Sequence, residues 1–193
     1  MKKIYSLLAA VSFATLATAQ VTLPYSETFS YADGDLNGKG NWTVQFANAT
    51  DKILVQGGLV KFDGAGEDLK STISPVNSGT VYYAMDLNVT SITAATLADG
   101  GYLAGFAQDN TTFGGTLWTK RVTDSTYKLG IEVRTVVGTS TTWTTADYNI
   151  NQVNNVVVSY TFNAGGTSDD TVNLYVNGVQ VAKVAKETAA NNE

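Results

Sequence analysis

The chain of 193 residues contains no cysteine and no histidine. Without cysteine it has no disulfide framework, no thiolate metal site and no thiol nucleophile. Without histidine it lacks the imidazole that acts as general base in Ser-His-Asp chemistry. Charge is scarce as well. Only 15% of residues are charged, with 12 lysines and arginines against 17 aspartates and glutamates, a net charge of −5. That balance leaves no broad basic face for nucleic acid. Beyond the N-terminal stretch no segment is apolar enough to cross a bilayer, which takes about 20 residues.

What is present begins with an export signal. Lys2 and Lys3 supply a positive start, Ile4 to Leu16 is mostly apolar, and Ala17-Thr18-Ala19 is a small-x-small cleavage site before Gln20. Residues 1–19 read as a secretory signal peptide, which predicts a secreted or cell-surface protein, extracellular or periplasmic. The apolar run is too short for a membrane anchor, so the mature form carries no membrane span. Cleavage leaves 174 residues with 10 basic and 17 acidic side chains, a net charge of −7. A chain of that size buries about 70% of its unfolded surface and needs no covalent staples.

The mature sequence reads as all β. Period-two alternation recurs and no long stretch keeps a 3.6-residue period. Tyr83, Met85, Leu87 and Val89 share one face of a strand, and Val156, Val158, Tyr160 and Phe162 share another. Val172, Leu174 and Val176 alternate with Asn173 and Tyr175; Leu129, Ile131 and Val133 alternate with Gly130, Glu132 and Arg134. Asn177-Gly178, between two apolar runs, predicts a two-residue hairpin. Gly57-Gly58, Asp63-Gly64, Asp99-Gly100-Gly101 and Gly165-Gly166 mark further turns. The sequence shows no internal repeat and no linker, so residues 20–185 are expected to form one domain, a two-sheet antiparallel jelly-roll sandwich. Residues 186–193 form a polar tail.

Three stretches carry a family resemblance. The first is Glu27-Thr28-Phe29-Ser30-Tyr31 followed by Asp33-Gly34-Asp35-Leu36-Asn37-Gly38-Lys39-Gly40-Asn41-Trp42. The second is Val81 to Val89 with Gly101-Tyr102-Leu103-Ala104-Gly105-Phe106. The third is Val156 to Phe162 with Asp169 to Asn177. Together they resemble the concanavalin A-like lectin/glucanase superfamily, and more narrowly the laminin-G-like jelly-roll modules of secreted bacterial proteins. The resemblance covers most of Leu23 to Asn177. It implies the fold and is not specific for an activity. Two features depart from it: Gly178 follows Asn177 where such modules often have proline, and the usual last strand has no counterpart after Val184. The second departure predicts a fragment of a longer surface protein, with other domains as partners.

The superfamily contains glucanases, which cluster carboxylates on one strand in a Glu-x-Asp-x-Glu pattern, with roughly 5–5.5 Å between acid and nucleophile. No such cluster exists here. Glu132 has no second acid two or four residues away, Glu67-Asp68 are adjacent and face opposite sides of a strand, and Asp169-Asp170 fall in a loop. No Gly-x-Ser-x-Gly elbow is present, and Gly64-Ala65-Gly66 opens no helix that could cradle phosphate. The expectation is a protein that is not an enzyme.

Calcium is one candidate ligand. Asp33-x-Asp35-x-Asn37-Gly38 matches the start of a calcium loop, but position 44, where the closing glutamate belongs, is Val44. These residues are either a loose surface calcium site or the ordinary furniture of a turn. Glycan is the other candidate, since sugar faces stack on aromatic rings while polar side chains read hydroxyls. Trp42 matches a packing position of the resembled family. Trp118 is either core or a strand-face platform. Trp143, amid Thr139-Ser140-Thr141-Thr142 and Thr144-Thr145, is either an exposed ring or the one buried ring of a polar edge strand. Asp109, Asn110 and Asp124 are the polar candidates from loops. Ten tyrosines against seven phenylalanines suit either a ligand-reading surface or plain β propensity. The sequence thus predicts a secreted, non-catalytic module that binds glycan or polysaccharide, with a structural or adhesive module that binds no sugar as the alternative.

Overall fold

The computed structural model describes residues 20–48, 50–63, 66–92, 100–110, 112–133, 141–163 and 170–185. The predicted signal peptide (1–19), the predicted polar tail (186–193), the turn expected at Gly165-Gly166, and Gly64, Asp99, Arg134 and Asp169 lie outside the described residues. The described chain forms fourteen strands and no helix, so no helix in it is long and apolar enough to cross a membrane.

Five short strands come first: β1 (Gly34–Asp35), β2 (Trp42–Phe46), β3 (Leu54–Gln56), β4 (Leu59–Lys61) and β5 (Asp68–Ser71). They make two small antiparallel sheets, β1-β3-β4 and β2-β5. Gly57 and Gly58, both with positive φ, close the two-residue turn between β3 and β4. One carboxylate organises the entry to this layer. Glu27 accepts the hydroxyls of Tyr25 (2.6 Å) and Tyr31 (2.9 Å), the Trp42 indole N–H (3.3 Å) and the Phe29 N–H (2.9 Å). Phe29, with φ of 50°, stacks on Trp42 at 5.9 Å. Trp42 is therefore a packing residue.

Nine longer or later strands follow: β6 (Gly79–Asn88), β7 (Gly101–Ala107), β8 (Phe113–Arg121), β9 (Thr126–Glu132), β10 (Thr142–Trp143), β11 (Tyr148–Asn149), β12 (Val153–Phe162), β13 (Thr171–Val176) and β14 (Val179–Ala185). One sheet runs β14-β13-β12-β6. The other runs β10-β9-β8-β7, with β11 also pairing β9. All pairings are antiparallel. Asn177 (φ 52°) and Gly178 (φ 80°) make the β13–β14 turn with the two positive φ values of a type I′ hairpin.

Alternation decides what the two larger sheets bury. Val81, Leu87, Val156, Val158, Tyr160, Val172, Leu174 and Val176 face inward from the first; Leu117, Tyr127, Leu129 and Ile131 face inward from the second. β12 lies against β8, and β13 and β14 against β9, so these side chains form one shared core. Each fully buried valine or leucine contributes about 1.5–3 kcal/mol, which lets the fold stand without disulfides. Asp170 is buried ahead of β13, where it accepts the Tyr160 hydroxyl (2.6 Å) and the Asn163 N–H (3.0 Å). It is a structural acid and not a surface one.

Candidate functional site

Because Leu117, Leu129 and Ile131 point into the core, their strand neighbours point the other way. Register then brings distant residues into one cross-strand row. Tyr102 on β7 pairs with Trp118 on β8, Trp118 pairs with Gly130 on β9, and Gly130 pairs with Trp143 on β10. The two tryptophans predicted as sugar platforms thus share the outer face of one sheet, separated by a glycine. Tyr102 is 48% exposed and meets Trp118 edge-to-face at 5.9 Å. Trp118 and Trp143 are half-buried.

Gly130 lets Trp143 lie where it does. A Cβ there would come within 2.7 Å of Trp143 Cε3 and 2.5 Å of Thr141 Cγ2. The far edge of the indole reaches Gly100, and Lys120 Nζ sits 4.3 Å from the ring centroid, a cation–π contact. Lys128, one row along, donates to the carbonyls of Thr144 (2.8 Å) and Thr145 (2.6 Å) and pairs with Asp147 (3.1 Å). That lysine fixes the connection that carries Trp143.

Behind the row lies a polar cluster. Glu132 is 4% exposed and accepts the Thr141 hydroxyl on Oε1. Burial pushes its carboxyl above the usual range, opposed by the Thr141 hydroxyl and the nearby Trp118 indole N–H. That N–H stops short of hydrogen-bond geometry, so Trp118 Nε1 and Glu132 Oε2 are both buried without a partner. No second carboxylate contributes to the shift of Glu132.

Tyr102 also borders a pocket of about 150 Å³, between the β2–β5 ribbon and the second large sheet. Gln45 and Asp68 line it from the ribbon; Tyr102, Ala104, Phe113 and Thr116 line it from the sheet. The Tyr102 hydroxyl donates to Asp68 Oδ2 at 2.6 Å, and burial together with that carboxylate pushes it up to about 12. Gln45 Nε2 is buried without a hydrogen-bond partner.

The loop candidates do not join this face. Asp109 accepts the Thr112 N–H (2.7 Å) and hydroxyl (3.2 Å) in the β7–β8 turn, and Asn110 accepts Lys70 Nζ at 3.1 Å. Asp124 pairs with Arg121 at 2.5 Å in the β8–β9 turn. Those turns flank opposite ends of nine-residue β8, about 26 Å apart at 3.3 Å per residue. The calcium candidates accept backbone N–H groups: Asp33 Oδ1 that of Gly57 in the β3–β4 turn (2.8 Å), and Asp35 Oδ1 that of Asn37 two residues on (2.9 Å). Among the described residues no group of three or more acidic side chains is placed to hold a metal ion. Glu67 and Asp68 diverge. Glu67 is buried against Lys52 Nζ at 2.7 Å, whereas Asp68 turns to Tyr102.

Tyr102, Gly130 and Gln45 are the site residues that sequence reasoning passed over. Tyr102 alternates with Leu103 in a β-rich run, the one local sign of a strand-face ring; nothing local marks the other two. Flat rings beside a small apolar pocket can stack on an apolar sugar face and hold one substituent. No family model, curated protein or solved structure is significantly similar to this chain.

Proposed function

We propose that this chain is a secreted, non-catalytic recognition module that binds glycan across the Tyr102–Trp118–Trp143 face, on a jelly-roll sandwich of the concanavalin A-like kind. The observation that carries the reading is the register that sets Trp118 and Trp143 on either side of Gly130, on the face turned away from the core. Tyr102 extends the row. The core shared by two antiparallel sheets and the Glu27–Trp42 cluster support the fold assignment. The non-catalytic part of the reading rests on the sequence, which has no Glu-x-Asp-x-Glu cluster, and on Glu132, whose carboxyl is shifted by no other carboxylate among the described residues. A glycosidase needs two.

The test is a glycan array probed with the full chain, repeated with Trp143→Ala and Trp118→Ala. Retention of a glycan by the wild type, lost in either variant with melting preserved, supports the reading. Release of reducing sugar from the bound glycan overturns its non-catalytic part.

An adhesive module without a sugar ligand is the competing reading. It draws on the outer face of β3–β4, where Leu54 and Leu59 are 41% and 65% exposed. Failure to retain any glycan favours it.

A further inference from the structure

The pocket beside Tyr102 has a composition unlike that of the aromatic row. Its walls include Leu69, Ala104 and Phe113, and its polar groups include Gln45 and Asp68. A cavity of about 150 Å³ holds a group of about benzene size. That is room for a substituent of a sugar and not for a pyranose ring with its hydroxyls. Gln45 Nε2 is a buried donor that lacks an acceptor, and such a group in a folded protein calls for a partner. Asp68 takes the Tyr102 hydroxyl on Oδ2, and a carboxylate has about four acceptor positions.

We propose that this pocket receives the acylamino substituent of an N-acylated amino sugar. The inference rests on the glycan reading and deepens it. The acyl methyl packs on Leu69, Ala104 and Phe113. The acyl carbonyl accepts from Gln45 Nε2, and the amide N–H donates to the Asp68 carboxylate. A secondary amide carries both a donor and an acceptor, so it satisfies Gln45 in either orientation of its side-chain amide. A sugar hydroxyl in the same place leaves the apolar walls uncovered. An ammonium group can pair with Asp68, but it leaves the Gln45 donor without an acceptor and loses its hydration against the apolar walls.

The experiment uses the full chain and oligosaccharides of one backbone that differ only in bearing an acetamido, a free amino or a hydroxyl group at the same carbon, within an array that includes glycans of other backbones. The expected result is binding of the acetamido form about tenfold or more tighter than the other two, with Gln45→Leu reducing that preference to parity. Leucine removes a buried unpaired donor, so the variant retains its melting temperature. Equal binding of the acetamido and hydroxyl forms overturns the inference and leaves the glycan reading standing. A preference that survives Gln45→Leu overturns it too, as does retention only of glycans that lack acylamino groups. If no glycan of any kind is retained, the glycan reading fails and takes this inference with it.

Discussion

Gly130 is the seat of Trp143: a Cβ at Gly130 would stand 2.7 Å from Trp143 Cε3, closer than carbon atoms pack. The relationship makes a residue without a side chain essential to the aromatic face. Gly130→Ala must push aside the indole, Thr141 or both. Overpacking of this kind costs about 1–3 kcal/mol. The expected result is a lower melting temperature, altered tryptophan emission and glycan binding weakened about tenfold or more. Unchanged emission would show that the ring does not rest there.

Glu132 sets a pH dependence of known sign. Its carboxyl is held above the usual range, chiefly by burial. The folded state therefore keeps the proton longer than the unfolded state, and this group's contribution is lost as pH rises from the unfolded value through the folded one. Glu132→Gln keeps an acceptor for Thr141 and cannot ionise. The variant should match or exceed the wild type at neutral pH and lose that part of the slope. Melting curves from pH 4 to 8 check it.

Glu27 has the opposite sign. Burial pushes its carboxyl up, but the hydrogen bonds from Tyr25, Phe29, Tyr31 and Trp42 outweigh it and hold the group below its usual value. Its stabilisation is present above the unfolded value and lost as pH falls through the folded one. Glu27→Ala leaves four donors without their acceptor and should cost about 1–2 kcal/mol by denaturant titration, with the acid-side loss reduced.

Calcium should leave the protein unchanged. Asp35 closes an Asx turn by accepting the Asn37 N–H, and Asp33 accepts the Gly57 N–H of the β3–β4 turn; neither arrangement needs a metal to form. Melting in millimolar calcium and in chelator is expected to coincide. A rise in melting temperature with calcium, abolished by Asp35→Asn, would assign these residues to a cation site after all.

Local chemistry made much of the fold legible. Val156, Val158 and Tyr160 alternate with Val157, Ser159 and Thr161 on β12 and are buried as that period predicts. Asn177-Gly178 is a two-residue turn whose φ values only such residues adopt readily. The Glu27…Trp42 motif, quoted as a string of residues, closes into a hydrogen-bonded cluster. The site was less legible because it is made by register, a non-local property. Trp118 and Trp143 were separately visible, but only the pairing of both with Gly130 joins them. Asp109, Asn110 and Asp124 read as loop ligands, yet turn geometry and ion pairing claim them at opposite ends of β8. The burial of Asp170 was also invisible, since its partner Tyr160 lies ten residues back on β12.

The central claim is that the outer face of the second large sheet is a sugar platform. Tryptophan emission of the full chain, titrated with the glycan that the array retains most strongly, tests it most directly. The account predicts a saturable change in the wild type that vanishes in Trp143→Ala while melting is preserved. Emission that no glycan alters, or glycan binding that Trp143→Ala and Trp118→Ala both leave intact, contradicts it.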